Sequence, residues 1–213
     1  MNQTWNEYYS KHNYSFSNIL LHYPYLIKAV FLKPKTMLEI GCGPAQHTVF
    51  IKKIFPNIKV SVLDLDKKLL RKVKQNHSNI IENYFHMNIN NKSSIKKLPK
   101  FDLVISQGLI EHFNDENVIK IIDNFSFVAN KMIFSIPSDI YQNQDFGNEV
   151  LRSKKEMEKL LKKTGFKFKV HNYFFDIGFR TKINLISQNN LGFYESVKLL
   201  LFKSCHLLIE INY

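Results

Sequence analysis

The spacing of apolar residues along the chain switches repeatedly between strand-like and helical, and the switches predict alternating elements. Thr36–Ile40 (TMLEI) is a short apolar strand that ends at the glycines of GCGPAQ. Thr48–Phe55 then carries Val49, Ile51, Ile54 and Phe55 at helical spacing, and Pro56-Asn57 stops it. Lys59–Leu63 is a second strand closed by Asp64, and Lys67–Gln75 is an amphipathic helix. Asn83–Met87 is a third strand, followed by a polar loop holding Asn90, Asn91 and Ser93. Phe101–Ser106 (FDLVIS) is nearly all apolar, the pattern of a strand buried on both faces.

Glu116–Val128 reads as a helix and Lys131–Ile136 as a fifth strand halted by Pro137. Ser153 is placed as the N-cap of a helix over Lys154–Lys163, with Gly165 as its C-terminal glycine. Phe166–Phe174 begins a sixth strand, and His206–Tyr213 alternates well enough to close the sheet. Strands that alternate with helices in this way imply a parallel sheet covered on both faces.

Two segments lie outside the rhythm. Residues 1–35 are rich in aromatics, among them Trp5, Tyr8, Tyr9, Tyr14, Phe16, Tyr23 and Tyr25, and residues 176–205 hold a helical stretch near Glu195–Ser204. Each segment is either a plain covering layer or a lid. Open α/β sheets bind ligands beyond the carboxyl ends of their strands, where added segments close the crevice. The expected organisation is a single domain: a lid over 1–35, a core over 36–174, an insertion over 176–205 and a closing strand over 206–213.

Composition narrows the class. With 213 residues, 45% hydrophobic and 23% charged, the chain has the make-up of an ordinary globular domain. Cys42 and Cys205 are the only cysteines and form no CxxC pair, so a zinc ribbon is unsupported and a reducing cytoplasm is expected. Ile19–Leu32 and Val197–Ile209 are the most apolar runs; both are interrupted by charged or histidine residues and are shorter than the roughly 20 residues that span a bilayer. The net charge of +12 would attract nucleic acid, an anionic membrane or an acidic partner. The lysines are dispersed, however, and only Arg71, Arg152 and Arg180 offer bidentate recognition, so a solvated basic surface is the reading taken.

The chemistry is concentrated in Met37-Leu38-Glu39-Ile40-Gly41-Cys42-Gly43-Pro44-Ala45. A strand delivers the chain into a glycine turn at the mouth of a helix, where bare backbone admits a ligand. Asp64 ends the next strand, where a carboxylate accepts both ribose hydroxyls. Together they point to a nucleoside-bearing cofactor. Gln46 stands where a GxGxxG fingerprint needs its last glycine, and no GxxxxGK[ST] occurs. Glu39 would repel a pyrophosphate but suits the ammonium of a methionine moiety, which favours S-adenosylmethionine over a dinucleotide.

These residues resemble the class I S-adenosylmethionine-dependent methyltransferases of small-molecule type. LEIGCGPAQHT is similar to that family's first motif, VSVLDLDKKLL to its ribose-binding motif, FHMNI to its adenine loop and FDLVISQGLIEHF to its fourth-strand motif. SIPS and EMEKLLKKTGF resemble the fifth strand and following helix, so the likeness runs over about 36–174. Ala45 departs from the usual third glycine and Asn88 from the usual acid. The resemblance implies a Rossmann-like, doubly wound, seven-stranded, mostly parallel sheet with an antiparallel last strand. It also implies that Glu39, Gly41 and Gly43 hold the methionine end, Asp64 the ribose and Leu65 the adenine face. Asn88 and Ile89 would contact the adenine edge, and Gln107 would line the methyl-donor side.

Transfer is then an in-line displacement at a sulfonium methyl, for which the protein aligns the partners and excludes water. His112 is the candidate base, against the alternative that it merely borders the pocket. Related enzymes with Glu-x-x-Glu-His bind a divalent ion at this point, but Gly108 replaces the first acid, so no metal is expected. The expected partner is a small-molecule acceptor methylated on oxygen or nitrogen, with no nucleic acid and no membrane span. The alternatives are an RNA methyltransferase, against which SQGL stands in place of an NPPY-type tetrapeptide, and a non-catalytic scaffold that keeps the cofactor fold.

Overall fold

The computed structural model describes residues 5–11, 19, 22–141, 147–173, 183, 186–187, 192–202 and 204–213. Fourteen residues of the insertion expected over 176–205, and residues 1–4, 12–18, 20 and 21 of the expected lid, fall outside them. Seven strands form one sheet: β1 (Thr36–Ile40), β2 (Lys59–Asp64), β3 (Asn83–His86), β4 (Phe101–Gln107), β5 (Ala129–Pro137), β6 (Lys167–Asn172) and β7 (His206–Asn212). Their order is β3-β2-β1-β4-β5-β7-β6. The pairings from β3 to β5 are parallel, whereas β7 runs antiparallel to both β5 and β6. This is the expected doubly wound sheet, with its closing strand inserted one place in from the edge.

The helices are α1 (Trp5–Lys11), α2 (Tyr23–Phe31), α3 (Gln46–Ile54), α4 (Lys67–His77), the single turn α5 (Lys92–Ile95), α6 (Asp115–Phe125), α7 (Lys154–Lys162) and α8 (Phe193–Phe202). Their starts are encoded locally. Asp66 accepts the N–H groups of Lys68 and Leu69 ahead of α4, and Asn114 accepts that of Asn117 ahead of α6. Ser153 and Glu156 form a reciprocal capping box at α7. The loop expected after β3 tightens into α5 because Asn91 caps it, its side-chain oxygen accepting the Ser94 N–H.

Strand pleating divides the core between two faces. Leu38 and Ile40 pack with Val104, Ile121, Phe125 and Leu161 under α6 and α7. Met37 packs with Tyr25, Ala29, Ile51, Val60 and Leu70 under α2, α3 and α4. Glu39 alternates with Leu38 and Ile40 and therefore faces the α2–α3 side. All the parallel strands end at the same side of the molecule, and there the turn after β1 meets the ends of β2, β3 and β4.

Candidate functional site

The turn after β1 alternates left-handed residues: Gly41, Gly43 and Ala45 have φ of 61°, 52° and 59°. Glycine enters this region freely, whereas alanine there is strained by about 1–2 kcal/mol. Two bonds tie the turn to β2. The Cys42 N–H donates to the Leu63 carbonyl at 3.2 Å, and the Gly43 N–H donates to the Asp64 carboxylate at 3.0 Å. The other Asp64 oxygen accepts the Asp66 N–H at 2.9 Å. Burial pushes the Asp64 pKa up while these backbone N–H groups oppose the shift. An ionised carboxylate has about four lone-pair sites, so acceptor capacity remains for hydroxyl donors.

A cavity of about 200 Å³ opens over the turn, and seven expected residues reach its wall: Gly41, Gly43, Asp64, Leu65, Asn88, Ile89 and His112. Leu65 is 64% exposed, a large apolar side chain next in the chain to the Asp64 carboxylate. The loop after β3 is fastened from outside, because the Asn124 side-chain amide donates to the Ile89 carbonyl at 2.9 Å. The Asn88 side-chain oxygen accepts the Asn90 N–H at 2.9 Å and so shapes this loop as well.

Two expected residues do not line the cavity. Glu39 is buried, and its carboxylate accepts the Thr48 N–H at 3.2 Å and the Thr48 hydroxyl, with His47 Nδ1 at 3.5 Å. In this position it holds the first turn of α3. Gln107 lies at the end of β4, but its neighbours Gly108 and Leu109 form the wall instead. Leu109, Trp5, Tyr9, Leu69, Met87 and Phe113 are lining residues that sequence reasoning did not single out for contact. The aromatic richness of the N-terminal segment was the available signal for Trp5 and Tyr9.

Tyr9 has a specific place. A Cβ on Gly43 would lie 2.7 Å from the Tyr9 hydroxyl, and one on Gly41 would lie 2.7 Å from Leu109 Cδ2. The bare backbone is therefore approached by the chain's own side chains, and the remaining space is smaller than the roughly 300–1,000 Å³ of most small-ligand sites. The donor and acceptor set nonetheless fits an adenosyl ligand. Asn90 lines the cavity, and its side-chain oxygen is buried with no hydrogen-bond partner, so it calls for a donor such as an exocyclic amine. Movement of Tyr9 off Gly43 would enlarge the space.

His112 sits in a 3-10 turn over Ile110–His112, with its Nδ1 2.6 Å from the Asn148 side-chain oxygen and the Trp5 ring edge-on at 4.9 Å. A carbonyl oxygen only accepts, so the proton belongs on Nδ1 and Nε2 is the basic nitrogen. Cys42 is buried, and its thiol pKa is raised by that burial and then by the Asp64 and Glu39 carboxylates, which excludes a ready thiolate nucleophile. Among the described residues, no three His, Cys, Asp or Glu side chains gather as metal ligands. No helix among them is long and apolar enough to cross a membrane.

A family model described as a methyltransferase domain matches residues 38–131. No curated protein matches the sequence. Among solved structures, the plantazolicin methyltransferase BpumL in complex with SAH superposes with a TM-score of 0.66 at 16% identity, covering 97% of this chain and 88% of that one. The methyltransferase domain of bacterial CtHen1 gives 0.63 at 15% identity, covering 93% and 100%. Magnesium protoporphyrin IX methyltransferase (ChlM) from Synechocystis PCC 6803 with bound SAM gives 0.60 at 13% identity, covering 100% and 93%. At these identities the likeness is one of fold. Residues 38–131 thus match a methyltransferase domain, and the order of the seven strands is that of the Rossmann-like methyltransferase fold seen in these neighbours.

Proposed function

We propose that the protein transfers a methyl group from S-adenosylmethionine to an oxygen or nitrogen of a small metabolite or natural-product precursor. The observation that carries this reading is the convergence of the Gly41–Gly43 turn, the Asp64 carboxylate and the His112 imidazole on one cavity. Asp64 would hold the ribose, Leu65 and Ile89 would flank the adenine, and Asn88 with Asn90 would meet its edge. Glu39 acts from behind, keeping the helix mouth and glycine turn in register through Thr48. The bound cofactor supplies an activated sulfonium methyl, so the chain's task is alignment and exclusion of water.

For an acceptor hydroxyl or ammonium, His112 Nε2 takes the proton, and Asn148 fixes the tautomer that leaves this nitrogen basic. Trp5 and Tyr9 on α1 form an aromatic cover on the acceptor side. Two neighbours in fold, named for plantazolicin and for magnesium protoporphyrin IX, support an acceptor of natural-product or metabolite type.

One observation favours a second reading, a cofactor-fold scaffold: the Tyr9 hydroxyl stands over Gly43. Calorimetric titration with S-adenosylhomocysteine separates the two. Micromolar binding upholds the enzyme reading, and binding weaker than millimolar upholds the scaffold. Incubation with methyl-labelled cofactor and a panel of phenols, carboxylates and amines then reads transfer directly, and labelled product confined to nitrogen or oxygen nucleophiles is the expected result.

A further inference from the structure

A cavity larger than the one over the glycine turn opens elsewhere on the described surface. About 900 Å³ opens between α2 and α3, walled by Ile27, Val30 and Phe31 on one side and Phe50, Ile54 and Phe55 on the other. It lies at the opposite end of the sheet from Gly41 and Asp64, beside the residues that lead into β1 and β2. Five strand residues separate the two ends of β1, about 17 Å. The groove is therefore no extension of the cofactor cradle.

Its walls hold apolar surface that the fold leaves in water. Phe31 is 74% exposed, Ile54 51%, Ile27 47% and Phe55 40%. Apolar side chains gathered this way mark a binding surface, whereas isolated ones do not. The volume falls in the range of sites that take small molecules, and such sites are mostly apolar with a few placed polar groups. Here the polar side chains are Lys33, Lys35 and Asn57, and no carboxylate lines the groove. The nearby Asp102 carboxylate is engaged by the Lys35 and Thr36 N–H groups at 2.8 Å and 3.0 Å. Lys33 also has a φ of 49°, a left-handed position after α2 that glycine would occupy without strain.

We propose that this groove binds an elongated apolar molecule ending in one anionic group, of the class of a long-chain carboxylate. The chain lies between α2 and α3, and the head meets Lys33 and Lys35. Charge decides against a second copy of the same face, which would set lysines against lysines. Concavity decides against a flat bilayer, and the clustering of both cations in the segment before β1 fits a single head group.

The test is fluorescence titration with 11-(dansylamino)undecanoic acid below its micellar concentration, followed by displacement with palmitate. Saturable one-to-one binding is expected. Ile54→Asp should weaken it at least tenfold, and Lys33→Glu with Lys35→Glu should weaken palmitate at least fivefold while leaving hexadecanol unchanged. Affinity for S-adenosylhomocysteine should stay constant in both variants. Circular dichroism melting shows whether each variant is folded, and the exposed lysine pair decides the matter should Ile54→Asp not fold. Absence of saturable binding, equal binding by the folded variants, or association only with phosphatidylglycerol vesicles would each overturn the proposal.

Discussion

Replacing Asp64 by alanine separates the two tasks its carboxylate performs. Toward a ligand, a charged acceptor contributes about 1.5–3 kcal/mol per hydrogen bond. Water entering the shortened side chain's place recovers part of that, leaving a net loss of about 1–3 kcal/mol, or roughly 5- to 150-fold in Kd. Toward the fold, the variant strips the acceptor from the Gly43 and Asp66 N–H groups. An unsatisfied buried donor costs about 1–3 kcal/mol, and removing a carboxylate that burial disfavours offsets some of it. A net loss of 1 kcal/mol lowers Tm by about 2–4 °C in a chain of this size.

Asp64→Asn is the control. Its one remaining oxygen still accepts a backbone N–H, so Tm should move less than in the alanine variant while ribose recognition is still lost. Calorimetric titration with S-adenosylhomocysteine, run beside thermal unfolding, reads both quantities. Near-native affinity in Asp64→Ala, whatever its Tm, would refute the ribose role and leave Asp64 as a clamp on the glycine turn.

Other consequences are as direct. His112→Ala should lower turnover at least about a hundredfold on an acceptor that must lose a proton, with cofactor affinity kept; an unchanged rate makes His112 a bystander. Tyr9→Ala should tighten S-adenosylhomocysteine binding by about three- to tenfold if clearing Gly43 recovers up to about 1.4 kcal/mol, and weaker binding would show that the ring stacks on the ligand instead. Gly43→Val should abolish binding, because a branched side chain would fill the bare backbone that a ligand must approach and the φ there is left-handed; retained binding in titration would refute the cradle. Burial raises the Asp64 pKa, which favours the protonated form in the free fold. Its stabilising contribution is present at low pH and is lost as pH rises through the folded pKa, so wild type should lose stability relative to Asp64→Asn over that rise. Cofactor binding has the opposite sign and should fade on acidification, starting above the pH at which an exposed aspartate protonates.

The parts of this molecule legible in the sequence are those whose causes lie close together along the chain. β1 and the glycine turn follow from TMLEIGCG; the start of α7 follows from Ser153 and Glu156; β4 follows from an apolar run bounded by polar residues. The closing strand was legible as a strand, and its antiparallel sense came with the family resemblance, whereas its place between β5 and β6 emerged only in the structure. The short α5 was hidden because four residues give no period to read. Glu39 shows the limit within a correctly placed motif. Its position inside β1 was readable, but the pleat sends its carboxylate toward Thr48 and His47, and that depends on where α3 packs.

Sequence alone thus determined the alternation of elements, the left-handed turn and the acid at the end of β2, because periodicity, capping and glycine's conformational freedom act over a few residues. Tertiary structure alone decided that Tyr9 stands over Gly43 and that Asn148, 36 residues away, fixes His112. It likewise decided that Asn124, 35 residues from Ile89, fastens the loop after β3, and that an apolar groove is left between α2 and α3. These depend on how helices settle against a common sheet, where burial fixes which faces meet and no local pattern records the partner.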